Sequence, residues 1–437
     1  MRKGFIALFF FIGIAALGQS QDSISIYKKR VLESIEVDFL TSYYTQDGSN
    51  AAVSGGIGTE KLTDFASSVV VSIPLNYDDI LTIDASVSAY SSASSSNVNP
   101  FNGENPADPF VQSTGASSSD TWVNGTFSYT HNSDNRNKIW SAKLSVSSEY
   151  DYFSLGIGGS YSRLFNEKNT ELSVNTNVYL DTWSLIYPFE LRPFREGGDG
   201  IENSLFTENE VTGNPNYHPS FIELTDGGRN SYSIGFGFSQ IISKRIQGSL
   251  AVDFVLQEGL LSTPFQRVYF SDIADSFIDN FQLADDIERV PNTRVKVAVG
   301  GRLYYYLNEA VVIRAHARYY QDDWEINSLT AGLEMPVKIS SKFTLYPSYR
   351  FYNQTAAVFF APYEEHLSTN EYYTSDYDLS KLTANQFGFG VSYTDIFTSF
   401  HIRKFGLKSI DLRYNHYQRD TGLKSSIIAV GFKFVMD

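Results

Sequence analysis

Apolar and polar residues alternate with a period of two through most of this chain, in runs of about ten residues, the length a tilted strand needs to cross a bilayer. In the clearest run, Leu81, Ile83, Ala85, Val87 and Ala89 interleave with Thr82, Asp84, Ser86 and Ser88. The same rule orders Trp140, Ala142, Leu144 and Val146, then Leu172, Val174, Val178 and Leu180, then Tyr232, Ile234, Phe236 and Phe238. It returns in Val295, Val297 and Val299, and again in Ile428, Val430, Phe432 and Phe434. Such runs predict strands that are apolar on one face and polar on the other. About sixteen are predicted, starting near Ile35, Leu62, Leu81, Trp122, Ile139, Phe153, Thr170, Tyr232, Gly248, Thr293, Val311, Leu329, Phe343, Leu382, Lys408 and Ser425.

The connections carry more information than any one strand. Short ones fall at 76–79, 166–169, 243–245, 308–309 and 340–342, and long ones at about 91–119, 187–229, 257–292 and 353–380, broken by Gly, Pro, Asn and Asp. With the start of the first strand on the periplasmic side, every long connection falls outside and the short turns fall inside. That parity predicts an all-β fold: a transmembrane antiparallel β-barrel of about sixteen strands with long extracellular loops and short periplasmic turns. Two outside connections, around 149–151 and 322–324, are short, and the turn at 394–407 is long for a periplasmic one. A secreted soluble β-sandwich or solenoid also alternates but has no reason to sort its loops by side. Tyr43, Tyr90, Trp122, Tyr129, Trp140, Tyr161, Trp183, Tyr319, Tyr349 and Tyr414, near strand ends, are the expected interfacial girdles.

Composition fits this reading. Aromatic residues make up 15%, with 29 Tyr and 33 Phe against 3 Met, which favours strands. Past the N-terminus no apolar run reaches the ~20 residues of a membrane helix. Arg2 and Lys3, an apolar run from Phe5 to Leu17 and the small residues Ala16 and Gly18 read as a signal peptide over 1–18. A short periplasmic segment at 19–34 and the barrel at 35–437 would follow. The expected location is the outer membrane of a Gram-negative-type bacterium after signal-peptide-dependent export, with outer-membrane lipid and the barrel-assembly machinery as partners. There is no cysteine, which excludes disulfides and thiolate metal sites, and a net charge of -15 argues against nucleic acid as partner.

Candidate chemistry is sparse. His131, Asn132 and Ser133, followed by Asp134 and Asn135, are similar in spacing to the His-x-Ser of outer-membrane phospholipases, but they fall in a periplasmic turn with no following Asn to orient the histidine. An acyl hydrolase is therefore the third-ranked reading, and no catalytic residue is assigned. His218, His316, His366, His401 and His416 are scattered without metal-ligand spacing, and Glu364, Glu365, Asp376 and Asp378 read as a solvated loop ahead of a calcium site. No metal and no cofactor is expected. The lumen offers more. On the polar parity, the N-terminal half contributes an acidic wall of Glu36, Asp38, Asp84, Glu171 and Asp253. The C-terminal half contributes a basic wall of Arg294, Lys296, Arg302, Arg314, Arg318, Arg350, Arg413 and Lys433. Opposed walls would set a transverse field that selects among polar solutes, and cross-strand pairing into a filled interior is the competing reading.

Two stretches, Ala52-Val53-Ser54-Gly55-Gly56-Ile57-Gly58-Thr59-Glu60-Lys61-Leu62 and Ser88-Ala89-Tyr90-Ser91-Ser92-Ala93-Ser94, carry a resemblance. The first, with its Gly-Gly-x-Gly-Thr-Glu motif at Gly55, Gly56, Gly58, Thr59 and Glu60, resembles a family of bacterial outer-membrane β-barrels known as a domain of unknown function. Its genes tend to sit near a periplasmic flavin transferase and a small lipoprotein. The resemblance implies a barrel in the outer membrane and a periplasmic or lipoprotein partner in a redox or flavin-linked system. Read physically, the glycines permit positive φ and shape an extracellular loop, and both stretches are expected at the mouth, packed on each other. The leading functional expectation is a non-enzymatic channel or gated pore for small polar solutes, or the outer-membrane partner of that periplasmic system. A structural or surface-interaction barrel with a filled lumen is the alternative.

Overall fold

A computed structural model describes residues 29–92, 101 and 119–436; the signal peptide expected over 1–18 lies outside the described residues. Sixteen long strands form one antiparallel sheet: β1 Glu36–Asp47, β2 Leu62–Pro74, β3 Asp79–Ser92, β4 Ser119–Asn132, β5 Lys138–Ser148, β6 Tyr152–Phe165, β7 Thr170–Trp183 and β8 Gly228–Ser243. The second half is β9 Ile246–Gly259, β10 Thr293–Tyr306, β11 Val312–Asp322, β12 Asn327–Glu334, β13 Phe343–Gln354, β14 Leu382–Thr394, β15 Phe405–Arg419 and β16 Lys424–Met436. Each strand pairs with the next in sequence, and β16 returns to pair with β1 from Glu36↔Val435 to Asp47↔Lys424. The sheet has no free edge, so every strand finds both of its ladder partners within the ring.

The apolar parity faces outward. Phe127, Leu250 and Phe387 are 55%, 61% and 61% exposed, and Val87, Leu144, Ile157, Phe236, Leu333 and Leu412 lie bare beside them. A water-soluble β domain would bury these side chains; here they form the continuous lipid-facing surface of a membrane-spanning barrel. Register fixes which aromatics share that surface, because residues opposite each other across a ladder share a face. Tyr43, Tyr129, Trp140, Tyr161, Tyr319, Tyr349 and Tyr414 do. Three expected girdle residues point the other way: Trp122 is opposite Ser88, Tyr90 opposite Asp64 and Trp183 opposite Tyr152, all on the polar parity. They sit at the loop end, where the interior is crowded and an inward aromatic has something to pack against.

The long loops β3–β4, β7–β8, β9–β10 and β13–β14 leave from the same end, opposite residues 29–34, which lie against the short turns through Val31 N–H to the Tyr77 carbonyl (3.1 Å); the β14–β15 connection, long for a turn, lies at the turn end. The fully buried apolar side chains of the molecule are concentrated in these loops. Tyr187, Leu191 and Phe221 of the β7–β8 loop pack with Tyr269, Ala284 and Ile287 of the β9–β10 loop, and Tyr363 of the β13–β14 loop joins them. A second cluster joins Leu205, Phe206 and Tyr217 to Ile278, Phe281 and Leu283, with Phe101 from the β3–β4 loop against its edge. The β7–β8 and β9–β10 loops are neighbours in the ring, whereas the β3–β4 and β13–β14 loops that join them each rise four strands away, so the contacts with these reach over the mouth. The loops form a cap with its own hydrophobic core on top of a barrel that has none.

Candidate functional site

The cap is fastened by polar contacts that the loop sequences do not advertise. Arg267, 1% exposed, donates to both carboxylate oxygens of the fully buried Glu190 (2.6 and 3.1 Å) and to the Val53 carbonyl (3.2 Å). One residue thereby ties together the loops β1–β2, β7–β8 and β9–β10. The glycine motif is part of this joint. Gly55 and Gly56 adopt φ of 75° and 90°, and a side chain on either would press into Tyr269 or the Ser375 carbonyl. Thus the Gly55, Gly56, Gly58, Thr59 and Glu60 loop docks on the β9–β10 and β13–β14 loops. Among the described residues, the two stretches meet in the ladder, where Leu62 lies opposite Ser92; Ala93 and Ser94 lie outside the described residues.

Several carboxylates are folded into the cap. Asp285 accepts from the Phe270 N–H (2.8 Å), and burial pushes its pKa up to about 7. Burial, reinforced by Asp378 and Glu288, does the same to Asp376. Acidic residues that could have been a calcium site have other occupations: Asp378 pairs with Arg419 (2.5 Å) and Glu364 accepts from Gln282 (3.0 Å).

Below the cap, every residue of both expected walls has the inward parity, but the signs are not held apart. Lys433 bridges Glu36 (2.7 Å) and Asp38 (3.4 Å), because closing the ring makes the last strand a neighbour of the first. Lys408, which the alternation pattern did not single out, also reaches Glu36 (3.6 Å) from beside a register shift in β15. Arg314 and Arg413 share Glu334 (2.8 and 3.2 Å). Arg294 holds Asp322 (2.5 Å) under the Trp324 ring and belongs to the rim that anchors the cap. Asp84 accepts from the hydroxyls of Ser68 and Ser86.

The rest of the basic wall is different. Arg302, Arg318 and Arg350 are exposed to the lumen and make no ion pair or hydrogen bond with any described residue. Arg302 and Arg318 border a cavity of about 540 Å³ that Glu171 and Asp253 also line. Arg302 and Arg350 border a second of about 380 Å³ with His316, Arg314 and Glu334. Lys296 lies one inward position from Arg294, between the rim and these cavities.

The phospholipase-like cluster has a structural occupation. His131 Nδ1 lies 2.5 Å from Asp79 Oδ1 on the adjacent strand, with its ring 5.8 Å from that of Trp140. The Ser133 hydroxyl donates to Asn135 (2.9 Å) and accepts from the Lys138 N–H (3.0 Å), which closes the turn.

Taken together, fold and lumen define a capped transmembrane β-barrel with a charged interior. The family model described as "Protein of unknown function (DUF3570)" matches residues 9–426, and the chain belongs to that family. No curated protein matches it. Among solved structures the chain is similar to a bacterial polysaccharide outer membrane secretin (10% identity, 93% of this chain and 100% of that one, TM-score 0.45). It is also similar to a BenF-like porin from Pseudomonas fluorescens Pf-5 (8%, 93% and 100%, 0.40) and to a Pseudomonas aeruginosa FadL homologue (8%, 93% and 90%, 0.40).

Proposed function

We propose that this chain is a non-enzymatic gated pore of the outer membrane that passes small polar solutes. The observation that carries the reading is the division of the molecule into a polar lumen with uncompensated cations, Arg302, Arg318 and Arg350, and a separately cored cap above it. A lumen evolved only to be filled would leave few charges without partners, since an unpaired buried charge is costly. A cap that has its own core can move as a unit without breaking the ladder beneath it. Conductance in planar bilayers tests this, with the wild-type chain and a variant whose cap is loosened at Arg267. Ion-selective openings that become more frequent in the variant support the pore; a barrel that stays silent in both overturns it.

The filled structural barrel remains the second reading, favoured by the pairs Lys433–Glu36 and Arg314–Glu334. On the family resemblance alone, we also propose a periplasmic or lipoprotein partner in a flavin-linked system, to be tested by site-specific crosslinking from the turn end of the barrel.

A further inference from the structure

Five adjacent strands bring one row of inward positions into register: Arg302 opposite His316, His316 opposite Gly332, Gly332 opposite Arg350, and Arg350 opposite Gln386. Gly332 is the gap in that row. A side chain there would collide with the imidazole of His316, which lies over the bare β12 backbone. Strand spacing puts Arg302 and Arg350 about 14 Å apart at the backbone, and the wall between them is concave. Their long side chains border the same cavity of about 380 Å³, with His316 between them.

Neither guanidinium, nor either ring nitrogen of His316, has a hydrogen-bond partner among the described residues. The one carboxylate at this cavity, Glu334, is already shared by Arg314 and Arg413. The pocket therefore carries a net positive charge and unspent directional donors. A planar guanidinium presents paired N–H groups that match the two oxygens of a carboxylate or phosphate, and two of them facing one gap can grip such a group from both sides.

We infer that Arg302, His316 and Arg350 form a binding station for the oxyanion group, carboxylate or phosphate, of a small solute. This inference rests on the pore reading for its purpose, although not for its chemistry. Solute enters the concave gap over Gly332, exchanges water for the two guanidinium forks, and leaves by exchange with the next anion. Arg318, on the neighbouring inward position of β11, extends the positive path towards the larger cavity.

The test is equilibrium binding to the full chain folded in detergent, using inorganic phosphate and acetate as probes, followed by calorimetry. Wild type should bind at least one of the two saturably. Arg302→Gln and Arg350→Gln should each weaken that binding roughly tenfold or more, the loss of one charge-assisted bidentate contact. Gly332→Ala, which displaces His316, should weaken it as well. Lys143→Gln, an inward cation on β5 outside the station, should bind as wild type does, and heat-modifiable migration should show all variants folded. Binding of phosphate alone or acetate alone names the oxyanion. Absence of saturable binding in wild type, or undiminished binding by the Arg302→Gln/Arg350→Gln double variant, overturns the station. Bilayer current without anion binding leaves the pore standing and removes the station; binding without current does the reverse.

Discussion

Replacing Arg267 with Met should unlatch the cap while leaving the barrel intact. The substitution keeps much of the apolar stem but removes two hydrogen bonds to Glu190 and one to the Val53 carbonyl, and leaves Glu190 fully buried without its cation. Breaking a buried ion pair by deleting one partner costs about 3–5 kcal/mol, chiefly the stranded charge. Because that cost falls on the closed cap, the open population should rise roughly a hundredfold to several thousandfold. Native-state hydrogen exchange reads this by region. The Asp285 and Glu288 amides, which donate to the Val268 and Gln266 carbonyls, should exchange faster by that factor, whereas ladder amides in β9 and β10 should not change. The double variant Glu190→Leu/Arg267→Met removes the stranded charge and should recover much of the protection. Unchanged loop exchange in Arg267→Met, or joint loss of loop and ladder protection, would refute the idea of a cap that opens as a separate unit.

Other consequences are more local. Val87→Arg places a charge on the lipid-facing parity of β3, at a cost of about 2–4 kcal/mol near the bilayer midplane, and should impair insertion into vesicles far more than Ser86→Arg, whose side chain faces the lumen; equal insertion would mean the faces are assigned wrongly. Asp285 has a folded pKa of about 7 against an ordinary 3.8, so the folded cap binds the extra proton and its stability falls as pH rises through that window. Loop-amide exchange, corrected for its intrinsic rate, should therefore be slower at pH 5 than at pH 8, and Asp285→Asn should reduce the difference, with Asp376 carrying the remainder. Arg314→Gln with Arg318→Gln should shift reversal potential towards cations with little change in melting temperature, because Arg413 still holds Glu334 and Arg318 has no acid to abandon; a large drop in melting temperature at constant selectivity would favour the filled barrel.

The strands were legible because each has to satisfy one rule over its whole length: one face in lipid, one in the lumen. A period of two over about ten residues is therefore imposed on the sequence itself. Loop parity was legible for a related reason, since outer-membrane barrels keep their turns on the periplasmic side short, and here the β14–β15 connection is the exception. The cap was not. Arg267 meets Glu190 across 77 positions and Val53 across 214, and no local pattern announces such a partnership. Its residues read as polar connections broken by Gly and Pro, although they contain the main buried apolar core of the protein. Only the glycines at 55, 56 and 58 gave a signal, because positive φ leaves a mark on residue choice that packing does not.

The lumen lies between these extremes. Alternation assigns a side chain to the inside, but the charge pattern along the chain is linear and the wall is circular. Reading from β1 to β16 separates acids from bases as though they faced each other across the barrel. Closure instead places Lys433 on the strand next to Glu36 and Asp38, so the sharpest contrast in the sequence becomes a neutralised seam. What survives neutralisation is set by which cations reach an acid: Arg314 and Arg413 take Glu334, and Lys433 takes Glu36 and Asp38. Arg302 and Arg350 lie in the middle of the basic half, on either side of the gap at Gly332, bordering a cavity whose one carboxylate, Glu334, is already held by Arg314 and Arg413. The same sequence order that exhausts the charges at the seam leaves Arg302 and Arg350 unspent there, and the proposed oxyanion station rests on that remainder.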